Sequence, residues 1–489
     1  MERQRLEAQG NPRHVRPAPT DPLQPAPAGL MLASPSSPWA TVRRLVWLVV
    51  VLSLLANTLL MVPIGLVDAD VDFSPGPSDP WFALAGGLCS LPLLLLVLTL
   101  RRPKLTHVVL ADPSSRGKFA HQLPGGRVLS TSTPTVLSHH LIRRSPPLDL
   151  PRPAPLVALF VGSVLVVLMV LVPLGLLNAG LLQALAFALL FLPAWMIGFS
   201  IPVFAWWAVS SEVLHLPTDR RQGESMLIAG MLSGFPAIAV NSLLFPMVLV
   251  ALGVTSPVII EGLTLVVSAP VGEELCKLAA VLLLGRLVDS GRRGLQAGFT
   301  VGLGFAMIEN LQYILASLLA DPTTAAFGFG FTSVLRGVGS IPGHAVWTGL
   351  GGYALGCTRA SSLRGPNDLD EGPSSPSAEW GLFEAHTGRA LTPSTSVWSV
   401  RRERWTGVVT STRGPAPPTN VVSALLMAIA FHAAWNGTSL VMSMLVAESV
   451  AGFAFMLVVD AILILAVLHT GRRLFGAAMM QAGRASGVS

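Results

Sequence analysis

Two adjacent glutamates with a lysine one turn later, Glu273-Glu274-Leu275-Cys276-Lys277, stand inside an otherwise apolar stretch of this chain. Three more polar groups stand in the apolar stretches that follow: Glu309 with Asn310, then His344, then His432 with Asn436 four residues on. Carboxylates accept protons from water, imidazoles hold metals or carry protons, and amides or ammonium groups steady negative charge as it develops. Together they supply what peptide hydrolysis needs, namely an activated water, a base and donors for an oxyanion. Residues four apart share a helix face, which pairs Glu273 with Lys277 and His432 with Asn436. Glu274 points about 100° away from Glu273.

The elements that must position these groups are membrane helices. Of the 489 residues 52% are hydrophobic and 12% charged, and the mean hydropathy is +0.63. An ordinary soluble domain carries about a quarter charged residues and could not hide this much apolar surface. Ten apolar runs have the length that a bilayer demands, roughly 20 residues each with the backbone satisfied internally. They lie near 45–67, 81–100, 155–178, 180–210, 226–253, 258–287, 294–320, 331–357, 420–447 and 450–471. The expected fold is therefore an all-α integral membrane bundle of about ten transmembrane helices. At about 1.5 Å per residue, Glu273, Glu309, His344 and His432 all fall roughly 18–20 Å from the cytoplasmic ends of their helices. Successive helices run in opposite directions, so a shared depth argues for one common layer. An ionisable group at mid-bilayer costs about 2.5–3.5 kcal/mol, which sets these four apart from ordinary packing residues.

Net charge is +6, but the basic residues follow the membrane and imply no nucleic-acid partner. With the N-terminus assigned to the cytoplasm, every Lys and Arg of the 32 except Lys277 and Arg336 falls in an inside segment, while Asp68, Asp70, Asp72 and Asp79 fill the first outside loop. The positive-inside rule then predicts a multi-pass protein of the cell (cytoplasmic) membrane with both termini cytoplasmic. The polar, Pro-rich first 40 residues lack a cleavable signal, so the first apolar run is expected to act as an uncleaved anchor. Cys89, Cys276 and Cys357 all fall in spans, which leaves no disulfide framework.

The expected organisation is a cytoplasmic Pro-rich tail (1–44), four N-terminal spans (45–224) with a cytoplasmic loop 101–154, a catalytic membrane domain (225–471) with a cytoplasmic loop 358–419, and a cytoplasmic tail (472–489). The second loop carries Trp380, Trp398, Trp405 and Arg401-Arg402-Glu403-Arg404, read as a positive-inside loop with interfacial aromatics. Met61–Ala69 echoes Leu171–Ala179, a pattern that suggests a duplicated helical hairpin. The first four runs contain few polar groups, so the functional half is C-terminal.

The order Glu-Glu-x-x-Lys, Phe-x-x-x-Glu-Asn, isolated His, His-x-x-x-Asn over about residues 225–471 resembles the PrsW family of intramembrane peptidases, which is in turn similar to the CAAX-processing and ABI-type membrane proteases. Those relatives have His where this chain has Glu309, and Arg where it has Lys277, so their assignments transfer only in part. The resemblance implies a metallopeptidase acting on membrane-anchored proteins such as anti-sigma factors. It implies catalytic roles for Glu273, Glu274, Glu309, His344, His432 and Asn436, with Lys277 and Asn310 in support. Two mechanisms remain open at this point. In one, Glu309, His344 and His432 bind a divalent metal, zinc by preference, and Glu273 is the general base. In the other, Glu273 and Glu309 activate water without a metal while His432 and Asn436 hold the oxyanion. Lys277 is placed to keep Glu273 ionised, and Arg336 reads as a snorkelling residue or as a contact to substrate or lipid. No His-Glu-x-x-His or Gly-x-Gly-Asp motif occurs, and Gly198-Phe199-Ser200-Ile201 is a chance-level match to a serine-protease pattern. The rival classes are an ion- or proton-coupled transporter, for which midplane carboxylates and histidines are also diagnostic, and a non-catalytic scaffold.

Overall fold

Each apolar run folds as one helix. A computed structural model describes residues 38–67, 78–99, 106–123, 127–142, 148, 150–177, 179–214, 216, 218, 220–319, 322–363, 382–383, 390–391, 416–446 and 450–485. The helices are α1 (Pro38–Val67), α2 (Pro80–Thr99), α3 (Pro153–Leu176), α4 (Leu181–Leu214), α5 (Arg220–Ala251), α6 (257–283), α7 (Gly291–Leu318), α8 (322–363), α9 (Val421–Val446) and α10 (Val450–Ala485). Among the described residues seven of them, α1, α3, α4, α5, α7, α9 and α10, are long and apolar enough to cross a membrane, fewer than the ten expected. The shortfall has a physical reason in α6 and α8, where Glu261, Glu273, Glu274, Lys277, Arg336 and His344 dilute the apolar character. α2 is apolar but short.

The loop 101–154 departs from the all-α expectation. It contains a long antiparallel hairpin, β1 (Thr106–Leu123) with β2 (Arg127–Ile142), whose register shifts around Lys118. This hairpin belongs to a compact unit separate from the helices. Two short strands, β3 (Leu382–Phe383) and β4 (Ala390–Leu391), pair within the loop 358–419. The Trp380, Trp398, Trp405 and Arg401–Arg404 features, the N-terminal 37 residues and Asp68, Asp70 and Asp72 lie outside the described residues.

In the helical unit α7 is central: 67% of its apolar stretch is buried, against 11–33% in the other six. Its packing demands glycine. A Cβ on Gly302 would stand 2.2 Å from the carbonyl oxygen of His344 on α8, and one on Gly304 would stand 2.0 Å from that of Leu227 on α5. Backbones in such close approach bring side chains from neighbouring helices within reach of each other, the usual way of packing helices where lipid supplies no hydrophobic drive. Glu309 lies seven residues beyond Gly302, on the same face of α7. The outward surfaces of α2, α3 and α4 carry exposed Leu88, Leu95, Leu165, Met169 and Leu189, an apolar exterior suited to lipid.

Three π turns interrupt the helices, at Val240–Leu244 in α5, Thr264–Ser268 in α6 and Arg336–Ser340 in α8. Each is followed by one residue and then a proline: Pro246, Pro270 and Pro342. A helical proline lacks an N–H and clashes with the carbonyl four residues earlier. Widening the turn relieves that clash, so Phe245, Ala269 and Ile341 donate five residues back, to the carbonyls of Val240, Thr264 and Arg336. The next carbonyls in this register belong to Asn241, Leu265 and Gly337, and their backbone donor would be the proline nitrogen, which has no hydrogen. Two of the three are taken by side chains. Asn436 Nδ2 donates to Leu265 O (3.0 Å), and Trp206 Nε1 donates to Gly337 O (2.9 Å).

Candidate active site

All four polar motifs meet in one buried cluster. α6 presents Glu273 and Glu274 on either side of Lys277, whose Nζ lies 2.6 Å from Glu274 Oε1 and 3.9 Å from Glu273 Oε2. Lys277 is fully buried, sits 4.4 Å from the centre of the Phe305 ring, and reaches His344 Nδ1 at 2.9 Å. An ammonium group has only donors, so Nδ1 of His344 accepts and its Nε2 carries the hydrogen, 2.7 Å from Glu309 Oε2. Arg336 Nη2 holds the same carboxylate oxygen at 2.8 Å and stacks on Tyr313 at 3.8 Å. Its Nε donates to Asn310 Oδ1. The Asn310 Nδ2 donates to Ala306 O at 2.6 Å, so this residue steadies Arg336.

His432 on α9 closes the cluster. Its Nδ1 lies 3.1 Å from Glu274 Oε1 and its Nε2 lies 3.7 Å from Glu273 Oε2. Its ring stacks on Trp347 with 4.7 Å between centroids and meets His344 edge-on at 5.0 Å. With Glu274 accepting from Nδ1–H, the lone pair of Nε2 faces Glu273, the arrangement by which a second carboxylate orients a metal-binding histidine.

Three carboxylates and two side-chain cations leave the cluster one negative charge in excess. Geometry locates that excess at Glu273. Its Oε1 accepts from Asn241 Nδ2 (3.3 Å), whereas its buried Oε2 has no hydrogen-bond donor. Glu273 also lines a cavity of about 40 Å³ with Gly234, Ala237 and Asn241 of α5 and Glu309 and Gln312 of α7. Such a volume holds about three or four waters at roughly 10–15 Å³ each.

The expected metal set was Glu309, His344 and His432, with Glu273 as base. Among the described residues the group close enough to hold an ion is Glu273, His344 and His432, one ligand atom of each lying within 4.8 Å of the others. An orphaned carboxylate oxygen, an open imidazole nitrogen and uncompensated negative charge fit a divalent cation. His344 joins that set only by releasing one of its two present partners, Lys277 or Glu309. Asn436, expected at the oxyanion, donates through Nδ2 to the π-turn carbonyl of Leu265. Arg336 neither snorkels nor stands free, since it is the ion-pair partner of Glu309.

Sequence reasoning overlooked Asn241 and Ser268. Both lie in π turns, and Ser268 Oγ donates to Asn241 Oδ1 at 2.9 Å. A signal was present in each case, a polar residue two to five positions before a proline inside a membrane run.

Residues 224–368 match the model of a family described as PrsW family intramembrane metalloprotease. The match takes in Glu273, Glu309, Arg336 and His344 and ends before α9, whose His432 the geometry adds. No curated protein and no solved structure matches the chain.

Proposed function

We propose, from the premise that residues 224–368 are a PrsW family intramembrane metalloprotease domain, that the chain hydrolyses peptide bonds of membrane-anchored proteins at the Glu273 cluster. The observation that carries this reading is the buried, donor-free Oε2 of Glu273, beside His432 and at a small, largely apolar cavity that Asn241, Glu309 and Gln312 also line. Water held between Glu273 and Glu309 loses its proton to Glu273 as it attacks the carbonyl carbon. Glu273 then delivers the proton to the departing amine, the usual double duty of a general base. In the metal form of this reading Glu273, His344 and His432 would instead hold a divalent ion, which when bound would acidify its water and leave Glu309 to take the proton. Lys277 and Arg336 keep the surrounding carboxylates charged and fixed, and Glu274 orients His432.

The finer architecture belongs to the same reading. Ten spans place 1–44, 101–154, 358–419 and 472–489 in the cytoplasm of a cell-membrane protein, with residues 225–471 as the catalytic domain. Zinc is the ion proposed, and membrane-anchored regulators of the anti-sigma-factor type are the proposed substrates.

The test compares the membrane proteomes of cells carrying the wild-type chain and its Glu273→Gln variant. One membrane-anchored protein should accumulate in the variant, and purified wild-type chain should cleave it at least about a hundredfold faster than the variant does, the usual worth of a general base. The wild-type protein should carry close to one divalent ion, lost in His344→Ala and His432→Ala. Equal cleavage by Glu273→Gln would overturn the proposal. Full activity after exhaustive chelation would leave only the glutamate-and-water form of it.

A further inference from the structure

We infer that Asn241 is a positioning residue for Glu273, itself set by Ser268, and that the paired π turns of α5 and α6 exist at this depth to bring the three together. The inference rests on the reading of Glu273 as the reacting carboxylate. Ser268 Oγ donates to Asn241 Oδ1 at 2.9 Å, which fixes the amide so that its nitrogen, the only end that can donate, faces Glu273. Asn241 Nδ2 then holds Glu273 Oε1 at 3.3 Å. One oxygen of the carboxylate is thereby tied down and the other is left turned to His432 and the cavity.

Nothing else described can do this. Lys277 Nζ is 3.9 Å from Glu273 and is engaged at closer range by Glu274 and His344. Without Asn241 the Glu273 carboxylate is free to rotate towards Lys277 and lose its open oxygen. Asn241 also lines the cavity itself, on the face of α5 that carries Gly234 and Ala237. The π turns supply the aim, because the extra residue in each rotates the following helix by roughly 100° relative to an uninterrupted one. Asn241 and Ser268 stand within those turns.

The rival explanation is that the Asn241–Ser268 pair is polar glue between two helices. Kinetics and metal affinity separate the two. Full-length protein in detergent is measured for kcat, KM and zinc affinity by competition with a fluorescent chelator. Asn241→Leu should lower kcat and zinc affinity by about 10–100-fold, as loss of a partner behind a ligand does, with KM within about twofold. Asn241→Asp keeps the shape but sets carboxylate against carboxylate, so its kcat should fall at least as far. Ser268→Ala should lose less, and Asn241→Leu/Ser268→Ala should be no worse than Asn241→Leu, because a residue acting through another adds nothing once that other is gone. If Asn241→Leu does not fold, Asn241→Asp and Ser268→Ala decide by the same two readouts. Wild-type kcat and zinc affinity in the Asn241 variants, with Glu273→Gln inactive, would sink this inference alone. An active Glu273→Gln would remove the reading beneath it. Fully additive losses in the double variant would make Ser268 glue and overturn the relay.

Discussion

Glu273 and Glu274 are neighbours in sequence with opposite duties. Glu274 is 2% exposed and is bound by Lys277 at 2.6 Å and His432 at 3.1 Å, whereas Glu273 has the open oxygen. Replacing Glu274 by Gln removes the main counter-charge of a fully buried lysine. Breaking such a pair from one side costs about 3–5 kcal/mol. Glu273→Gln instead removes a charge with one distant cation and one amide partner, and deleting a charge from mid-bilayer spares about 3 kcal/mol of insertion cost. Thermal unfolding in micelles should therefore show Glu274→Gln markedly less stable than wild type and Glu273→Gln close to it, with both inactive. The reverse order of stabilities would make Glu273 the structural member of the pair. Sequence spacing expected one of the two to face the site and the other a neighbour; both join the cluster, Glu273 at the cavity and Glu274 against Lys277 and His432. It could not say which partner each would find, because those partners come from α8, α9 and the π turn of α5.

At the scale of elements, the helices and their shared polar depth were readable, since hydrophobic length and residue counting need no tertiary information. The bends were not read, although their cause is printed in the chain as Phe245-Pro246, Ala269-Pro270 and Ile341-Pro342. A proline in an apolar run announces a lost N–H. Whether the helix answers with a kink, a break or a π turn depends on which neighbour can satisfy the freed carbonyl. At Leu265 that neighbour is Asn436, whose Nδ2 holds the freed carbonyl, a partnership that its spacing from His432 does not reveal. A double-mutant cycle measures this pairing. Asn436→Leu orphans the Leu265 carbonyl and should cost about 1–3 kcal/mol of stability. In a Pro270→Ala background the new N–H of residue 270 can serve that carbonyl, so the added cost of Asn436→Leu should nearly vanish. Unfolding temperatures of the four proteins measure the coupling, and strict additivity would refute the assignment.

For the whole molecule the question is whether α2, which is apolar but short, and α6 and α8, which carry more polar groups, cross the bilayer as well. Length does not forbid it for α6 and α8: at about 1.5 Å per residue they extend roughly 40 Å and 60 Å, more than the hydrocarbon core of about 30 Å. Parity and charge argue for it. Seven crossings would put the termini on opposite faces, and without α2 the nine Lys/Arg of 101–154 would face outward with the acidic loop of Asp68–Asp79. Ten crossings put both termini and every loop Lys and Arg on one side, as the positive-inside rule requires. Single cysteines introduced into a chain freed of Cys89, Cys276 and Cys357 distinguish the two arrangements. Labelling of intact cells with a membrane-impermeant maleimide should modify cysteines at Asp72, Thr323 and Glu448 and spare those at Ser114, Ser290 and Ser375 until the membrane is opened. Outside reactivity at Ser114 would show that α2 does not cross. Reactivity at Ser375 would show that α8 ends on the outer side, which would turn the catalytic layer over and require its substrates to be cut from the other face.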